Sequence, residues 1–281
     1  MTLHTGLEAI VLAGGRGTRL RTVVRDRPKP MAEVGGRPFV EWLLRMVAGF
    51  GVRRAVLCVG HLGDVVRSHF GDGRGVGLEI GYSEDVDLGT GGAVRKALPL
   101  TRSDPVLVLN GDSYCEVDLA AFLEWHRARG AEGSLLLSQV QDTGRFGAVR
   151  TDPDGCILSF EEKADSAAPG WINAGIYLLS RNLLGAIPTV GPVSIEREVF
   201  PGSVGGGLYG YRGGGRFIDI GVPESYAKAA EFFGCAGRES VPAGDGPAAS
   251  PPSPNTGHGV RLSAGVSRAQ SSQPSHGGEQ P

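Results

Sequence analysis

Cysteine is scarce in this chain, with four in 281 residues. Cys58, Cys115, Cys156 and Cys235 stand far apart, with neither zinc-ligand nor redox spacing. A disulfide-stapled scaffold is therefore excluded, and reduced thiols in a cytoplasmic protein are expected. No apolar run approaches the ~20 residues of a bilayer span, so no membrane partner is expected. Residues 1–6 lack the basic flank and apolar core of a signal peptide. Neither sign of charge dominates: 28 Lys and Arg against 30 Asp and Glu leave −2. That removes any global attraction to nucleic acid. There is no internal repeat, and no aromatic residue follows Phe233. From about Gly237 Pro, Ser, Gly and Ala dominate. Such a segment cannot bury enough apolar surface to offset its ordering entropy. Residues 237–281 are expected to be a disordered tail without a part in catalysis, and residues 1–236 to be the folded domain.

What is present begins with Ala9-Ile10-Val11-Leu12, an apolar run read as a buried strand. It delivers Ala13-Gly14-Gly15-Arg16-Gly17-Thr18-Arg19-Leu20, with Arg27-Pro28-Lys29-Pro30 just beyond. Glycine lets the backbone turn sharply and lets an anion approach its N–H groups. Arginine adds donors and a permanent charge. A glycine-rich connection with arginines in water has the same spelling. The loop is not a Walker A motif, because no Gly-Lys-Ser/Thr follows. It does not match the dinucleotide fingerprint either, since Leu20 stands where a third glycine or alanine belongs.

Downstream, apolar strands around 54–59 and 78–82 alternate with helices at 38–50 and 64–70, the pattern of a mostly parallel sheet covered on both faces. Leu88-Gly89-Thr90-Gly91-Gly92-Ala93 opens another helix, whose N-terminus would favour an anion. Pro105 to Asn110 is the strongest buried strand and ends in Gly111-Asp112-Ser113. A carboxylate at the tip of a central strand is where α/β sheets place ligand chemistry, and the apolar strand before it favours that over a turn aspartate bonding its own backbone. Asp118 to Arg129 reads as an amphipathic helix with His126 on its polar side.

From about 131 the strands run with few helices between them, and Asp152-Pro153-Asp154-Gly155 marks a hairpin turn. Phe160-Glu161-Glu162-Lys163 ends one strand. Trp171-Ile172-Asn173-Ala174-Gly175-Ile176 puts an amide inside another, where it wants a partner, in a ligand or in a neighbouring turn. Asp219, between Ile218 and Ile220, wants one too.

These motifs together resemble the sugar-phosphate nucleotidyltransferases, which make NDP-sugars from an NTP and a sugar 1-phosphate. The resemblance covers roughly residues 7–233. It implies a Rossmann-like, mixed but mostly parallel sheet flanked by helices, with a smaller antiparallel sugar-binding region. Residues 7–130 would form the nucleotide-binding half and 131–236 the sugar-phosphate half. Arg16 and Lys29 would be catalytic. Leu12, Ala13, Gly14, Gly15, Gly17, Thr18, Arg19, Gly89, Thr90, Gly91 and Asp112 would bind the nucleotide. Gly147, Glu161, Lys163, Asn173 and Gly175 would bind the sugar phosphate, and Asp112 and Asp219 would hold Mg²⁺. Within the family the resemblance points to GTP and a heptose 1-phosphate, with mannose or glucose 1-phosphate and ATP, CTP, UTP or dTTP left open. Whether the chain forms a homo-oligomer is also open.

Two rivals come from other classes. A glycosyltransferase would want an Asp-x-Asp motif closing a central strand. Asp85-Val86-Asp87 and Asp152-Pro153-Asp154 have the spelling without that setting. A non-catalytic NDP-sugar-binding subunit would be expected to lack Arg16, Lys29 or one of the two aspartates, and all four are present.

Overall fold

In a computed structural model, residues 6–15, 20, 23, 24, 26–161 and 168–235 are described. Contacts divide the chain into Met1–Ser240 and Val241–Pro281, and every described element lies in the first unit. The tail expected from Gly237 lies outside the described residues.

The chain opens with β1 (Glu8–Leu12), the short hairpin β2 (Glu33–Val34) and β3 (Arg37–Pro38), and α1 (Phe39–Gly49). Next come β4 (Arg54–Val59), α2 (Gly63–Phe70), β5 (Glu79–Glu84) and α3 (Gly89–Ala97). The middle carries β6 (Val106–Asn110), β7 (Ser113–Cys115), α4 (Leu119–Ala128), β8 (Gly133–Val140), β9 (Val149–Thr151) and β10 (Ile157–Phe160). The last part holds β11 (Gly170–Leu179), α5 (Arg181–Gly185), α6 (Phe200–Gly202), β12 (Leu208–Gly214), β13 (Phe217–Asp219), α7 (Pro223–Ala227) and α8 (Ala229–Phe232).

Seven strands form one sheet in the order β12-β8-β11-β6-β1-β4-β5. Only β11 runs against the others, antiparallel to both β6 and β8. The strands of the second half thus extend the main sheet. Separate from it are the antiparallel pairs β2 with β3, β9 with β10, as the turn at 152–155 implies, and β7 with β13.

The central strands are apolar on both faces because both faces are covered. Ala9 and Val11 of β1 join the core under α1, α2 and α4, while Ile10 joins the core under α3 and α5. In β6, Leu107 and Leu109 face the first core, and Val106 and Val108 the second. α4 is capped as its sequence implies, Asp118 Oδ1 accepting from the Ala120 and Ala121 N–H groups. One expectation on α4 is corrected. His126 is 4% exposed, and its Nδ1 lies 2.8 Å from Ser134 Oγ in β8. A single polar partner on the sheet suffices to bury it. The expected helix from Pro223 is broken at Lys228 into α7 and α8. There Phe233 stacks on Trp42 of α1 at 4.3 Å, pinning this end of the unit to the first core.

Candidate active site

β1, β4, β5 and β6 run parallel, so their carboxyl ends share one edge of the sheet. The chain leaves β1 for β4 and β5 on one side, then returns to β6 on the other. Such a reversal opens a crevice above the strand ends. The segments leaving β1 (Gly14, Gly15), β4 (Gly60, His61), β5 (Asp85 to Asp87) and β6 (Asp112) border a cleft of about 980 Å³. Lys29, Pro30, Gly89 and Thr90 also border it.

Lys29 arrives in a 3₁₀ turn, Lys29–Met31, with Pro28 before it in extended conformation. Prolines on both sides restrict the backbone that aims its side chain. Lys29 Nζ lies 2.6 Å from Asp112 Oδ2 and 3.8 Å from Asp219 Oδ2. The Lys29 side chain is only 10% exposed. Asp112 follows β6, and Asp219 ends β13. They meet because β13 pairs with β7 in a register that sets Asp219 opposite Ser113. The Ile220 N–H also donates to the Asp112 carbonyl at 3.0 Å. Burial pushes the Asp219 carboxyl above its ordinary value, Lys29 opposes this, and the charge of Asp112 adds to it.

Beside the cleft, a chain of polar contacts links Thr90 and Asn110 with Asn173, Tyr177 and Glu196. Thr90 Oγ1 donates to Glu196 Oε2 at 2.7 Å, and Asn110 Nδ2 lies 3.4 Å from Glu196 Oε1. Asn110 and Asn173 both donate to the Tyr177 hydroxyl, at 3.2 and 3.0 Å. Burial pushes that phenol well above its ordinary value. Glu196 sits in a π-helical turn, Ile195–Val199, a geometry common at functional sites.

The cleft unites Leu12, Gly14, Gly15, Lys29, Gly89, Thr90 and Asp112. Asp219 joins them through Lys29. Ala13 is buried beside them, its N–H on the Cys58 carbonyl. Gly91 turns elsewhere. Its N–H donates to the Val193 carbonyl at 2.8 Å, and that of Gly92 to the same oxygen at 3.4 Å. The N–H groups of Gly91 and Gly92 are therefore taken by the chain itself, while Gly89 and Thr90, the first two residues of α3, border the cleft. Gly89 has φ +69°, and a Cβ there would strike the Val193 carbonyl.

Asn173 bonds within its own strand, its Oδ1 accepting the Gly175 N–H at 2.9 Å across an irregularity in β11. Gly175, with φ +77°, abuts Ser113 Oγ and Asn110. Glu161 is paired with Arg150 at 2.6 Å. Gly147 follows Arg145, whose Nη2 reaches Asp219 Oδ1 at 2.8 Å. Arg16, Gly17, Thr18, Arg19 and Lys163 lie outside the described residues. Sequence reasoning missed Glu196, Asn110, Tyr177 and Arg145. Of these only Asn110 carried a local signal, as an amide closing an apolar strand.

The sheet and the position of its crevice define a nucleotide-binding α/β protein. The chain matches the nucleotidyl transferase family over residues 8–233 and belongs to it. It is 38% identical over 226 residues to a mannose-1-phosphate guanylyltransferase of Mycobacterium tuberculosis, covering 79% of this chain and 63% of that protein. It is 34% identical over 225 residues to a D-glycero-alpha-D-manno-heptose 1-phosphate guanylyltransferase of Aneurinibacillus thermoaerophilus, covering 79% of this chain and 96% of that one. Among solved structures it resembles HddC from Yersinia pseudotuberculosis, with a TM-score of 0.73 at 32% identity over 81% of this chain and 99% of that one. HddC has also been solved with GMP-PN bound. The chain thus spans under two thirds of the mannose-1-phosphate relative and nearly all of the heptose one.

Proposed function

We propose that this chain is a sugar 1-phosphate guanylyltransferase, joining GTP to D-glycero-α-D-manno-heptose 1-phosphate and releasing pyrophosphate. The observation that carries the transfer chemistry is Lys29 Nζ between Asp112 and Asp219 at the carboxyl edge of the parallel strands. A phosphate oxygen of the sugar 1-phosphate attacks the α-phosphorus of the nucleotide. A P–O bond forms there, and the bond to the β-phosphate breaks. The attacking phosphate is already ionised, so the step needs no general base. Repulsion between two anions is the obstacle, and catalysis consists of positioning and charge neutralisation.

The residues present fit a divalent cation. Two carboxylates face one point that already holds a positive charge, and both offer hard oxygen donors. Among the described residues no third His, Cys, Asp or Glu completes a protein cage. Mg²⁺ suits such a site, since it binds through one or two carboxylates and takes substrate phosphates and water besides. When bound, the cation would neutralise phosphate charge. Asp112 and Asp219 would hold it. Lys29 would face the charge that builds during transfer, the loop after β1 with Arg16 would hold the departing pyrophosphate, and Lys163 the attacking phosphate. Glu161, Asn173, Gly147 and Gly175 would form the sugar side.

GTP is supported by the guanylyltransferase relatives, and the heptose by the relative of which this chain covers 96%. A second reading, mannose 1-phosphate, is favoured by the 38% identity to the mannose-1-phosphate relative. The test is a matrix of GTP, ATP, CTP, UTP and dTTP against heptose, mannose and glucose 1-phosphates, scored by product mass and pyrophosphate release. GDP-heptose as the dominant product is the expected result. GDP-mannose made faster would select the second reading. Pyrophosphate released without any sugar 1-phosphate would overturn both.

A further inference from the structure

Arg145 lies in the loop between β8 and β9, beside Phe146 and Gly147. Its Nη2 donates to Asp219 Oδ1 at 2.8 Å, while Lys29 Nζ stands 3.8 Å from Oδ2 of the same carboxylate. Four side chains therefore alternate in sign: Arg145, Asp219, Lys29, Asp112. Among the described residues, Lys29 and Arg145 are the cations within 4 Å of the two aspartates. They differ in exposure. Lys29 is enclosed, whereas the Arg145 side chain is 45% exposed. The guanidinium carbon rests 4.9 Å from the centre of the Phe146 ring, and Phe146 packs edge-on against Phe217 at 5.4 Å. The loop is thus anchored by an aromatic pair on β13 while its charged tip faces water. Arg145 and Asp219 also border a second hollow of about 520 Å³, so the side chain has room to leave the carboxylate.

The charge arithmetic gives this a purpose. As it stands, the set of four sums to zero. A sugar 1-phosphate brings roughly −1.5 to −2, and a triphosphate more. A divalent cation on the two aspartates would make the side-chain cations surplus there, while the incoming phosphates need them. A guanidinium fork matches phosphate oxygens two at a time. Arg145 also stands on the Asp219 side, on the loop that leads into the β9–β10 hairpin.

We propose that Arg145 is a ligand of the sugar 1-phosphate that the ligand-free chain holds in reserve on Asp219. Metal binding to Asp219 releases the guanidinium, which turns to the attacking phosphate. The inference rests on the transferase reading above and adds to it a residue and an order of events.

Arg145→Ala and Arg145→Lys are compared with the wild type by two kinds of measurement. Mn²⁺ titration of the substrate-free protein, followed by electron paramagnetic resonance, reads the competition for Asp219. Arg145→Ala is expected to bind Mn²⁺ at least threefold more tightly. Initial rates read the phosphate contact. KM for the sugar 1-phosphate is expected to rise at least tenfold in Arg145→Ala, with KM for the NTP within twofold of wild type. Arg145→Lys recovers part of that loss, as a point charge without the fork. A sugar 1-phosphate KM within twofold of wild type, or an equal rise for both substrates, overturns the proposal. Unchanged or weaker Mn²⁺ binding overturns the reserve on Asp219. Should Arg145→Ala fail to match the wild-type circular dichroism, Arg145→Gln, which keeps length and polarity, replaces it under the same criteria. Wild-type protein that transfers to no sugar 1-phosphate refutes the transferase reading itself, and this inference with it.

Discussion

Lys29→Met removes the positive charge between two carboxylates and keeps an unbranched side chain only one atom shorter. Unit charges 4 Å apart are worth about 4 kcal/mol at an effective dielectric of 20. Asp112 is 37% exposed, so solvent screens its share, whereas Asp219 is 19% exposed and screened less. The expected loss of stability in the metal-free protein is therefore about 1–3 kcal/mol. The sign of its pH dependence follows from Asp219, whose carboxyl is already pushed up by burial with Lys29 opposing. Without Lys29 it rises further. A carboxyl whose folded pKa lies above its unfolded value weakens the fold above that folded pKa, and the penalty fades as pH falls toward the unfolded value. The deficit of the variant should therefore shrink on acidification through the carboxylate range. It should also shrink with Mg²⁺, since a cation at 100 times its dissociation constant adds about 2.7 kcal/mol to the native state. Urea denaturation with and without Mg²⁺ measures both effects. Turnover, read as pyrophosphate release, should fall at least ~100-fold, as when a preorganised group is removed from developing charge. A deficit below ~0.5 kcal/mol that ignores Mg²⁺, together with turnover within threefold of wild type, would refute the shared-charge reasoning.

Asp112→Asn and Asp219→Asn should each lower turnover ~100-fold or more and weaken Mn²⁺ binding, measured by initial rates and paramagnetic resonance. Gly175→Ala should cost about 2–4 kcal/mol in urea, because φ is +77° and the new methyl meets Ser113 Oγ. Thr90→Val leaves Glu196 without its shortest donor and should cost ~1–3 kcal/mol, with a raised KM for the NTP. Burial holds His126 down at about 4, so its neutral form stabilises the fold fully above pH ~6.5. That contribution, up to ~3 kcal/mol, is lost as pH falls toward 4. His126→Gln should flatten the denaturation midpoint across that window, and an unchanged slope would sink the assignment.

The elements nearest the cleft were legible because each rests on local chemistry. An uninterrupted apolar run such as Val106 to Leu109 has to be buried on both faces, and Asp112 is the first carboxylate beyond it. Prolines around Lys29, glycines around Arg16 and the turn at 152–155 are likewise local signals. What stayed hidden depends on partners distant in the chain. His126 looked solvated on its own helix and is buried by Ser134. Glu196 is one of several acids in a polar stretch until the fold sets it under Thr90 and Asn110. Of the glycines that open α3, Gly91 and Gly92 give their N–H groups to Val193, a partner far along the chain. Pairing the strands of the second half needed knowledge of which neighbour each would choose, and hydrophobicity alone does not give it.

The same distinction explains how the candidate metal site is held. Asp112 and Asp219 are brought together by backbone, through the β7–β13 ladder and the Ile220 N–H on the Asp112 carbonyl. Side chains alternate along a strand, so a slip of one residue in that ladder would present Ile218 or Ile220 to Lys29 in place of Asp219. The distance between the two carboxylates is thus a property of register, held by groups that take no part in the chemistry. Phe146 on Phe217 and Tyr114 on Phe232 and Phe233 brace that ladder from outside. Substitutions that loosen these rings should therefore lower Mn²⁺ affinity with no change in either carboxylate, whereas a site assembled by side-chain flexibility alone would tolerate them.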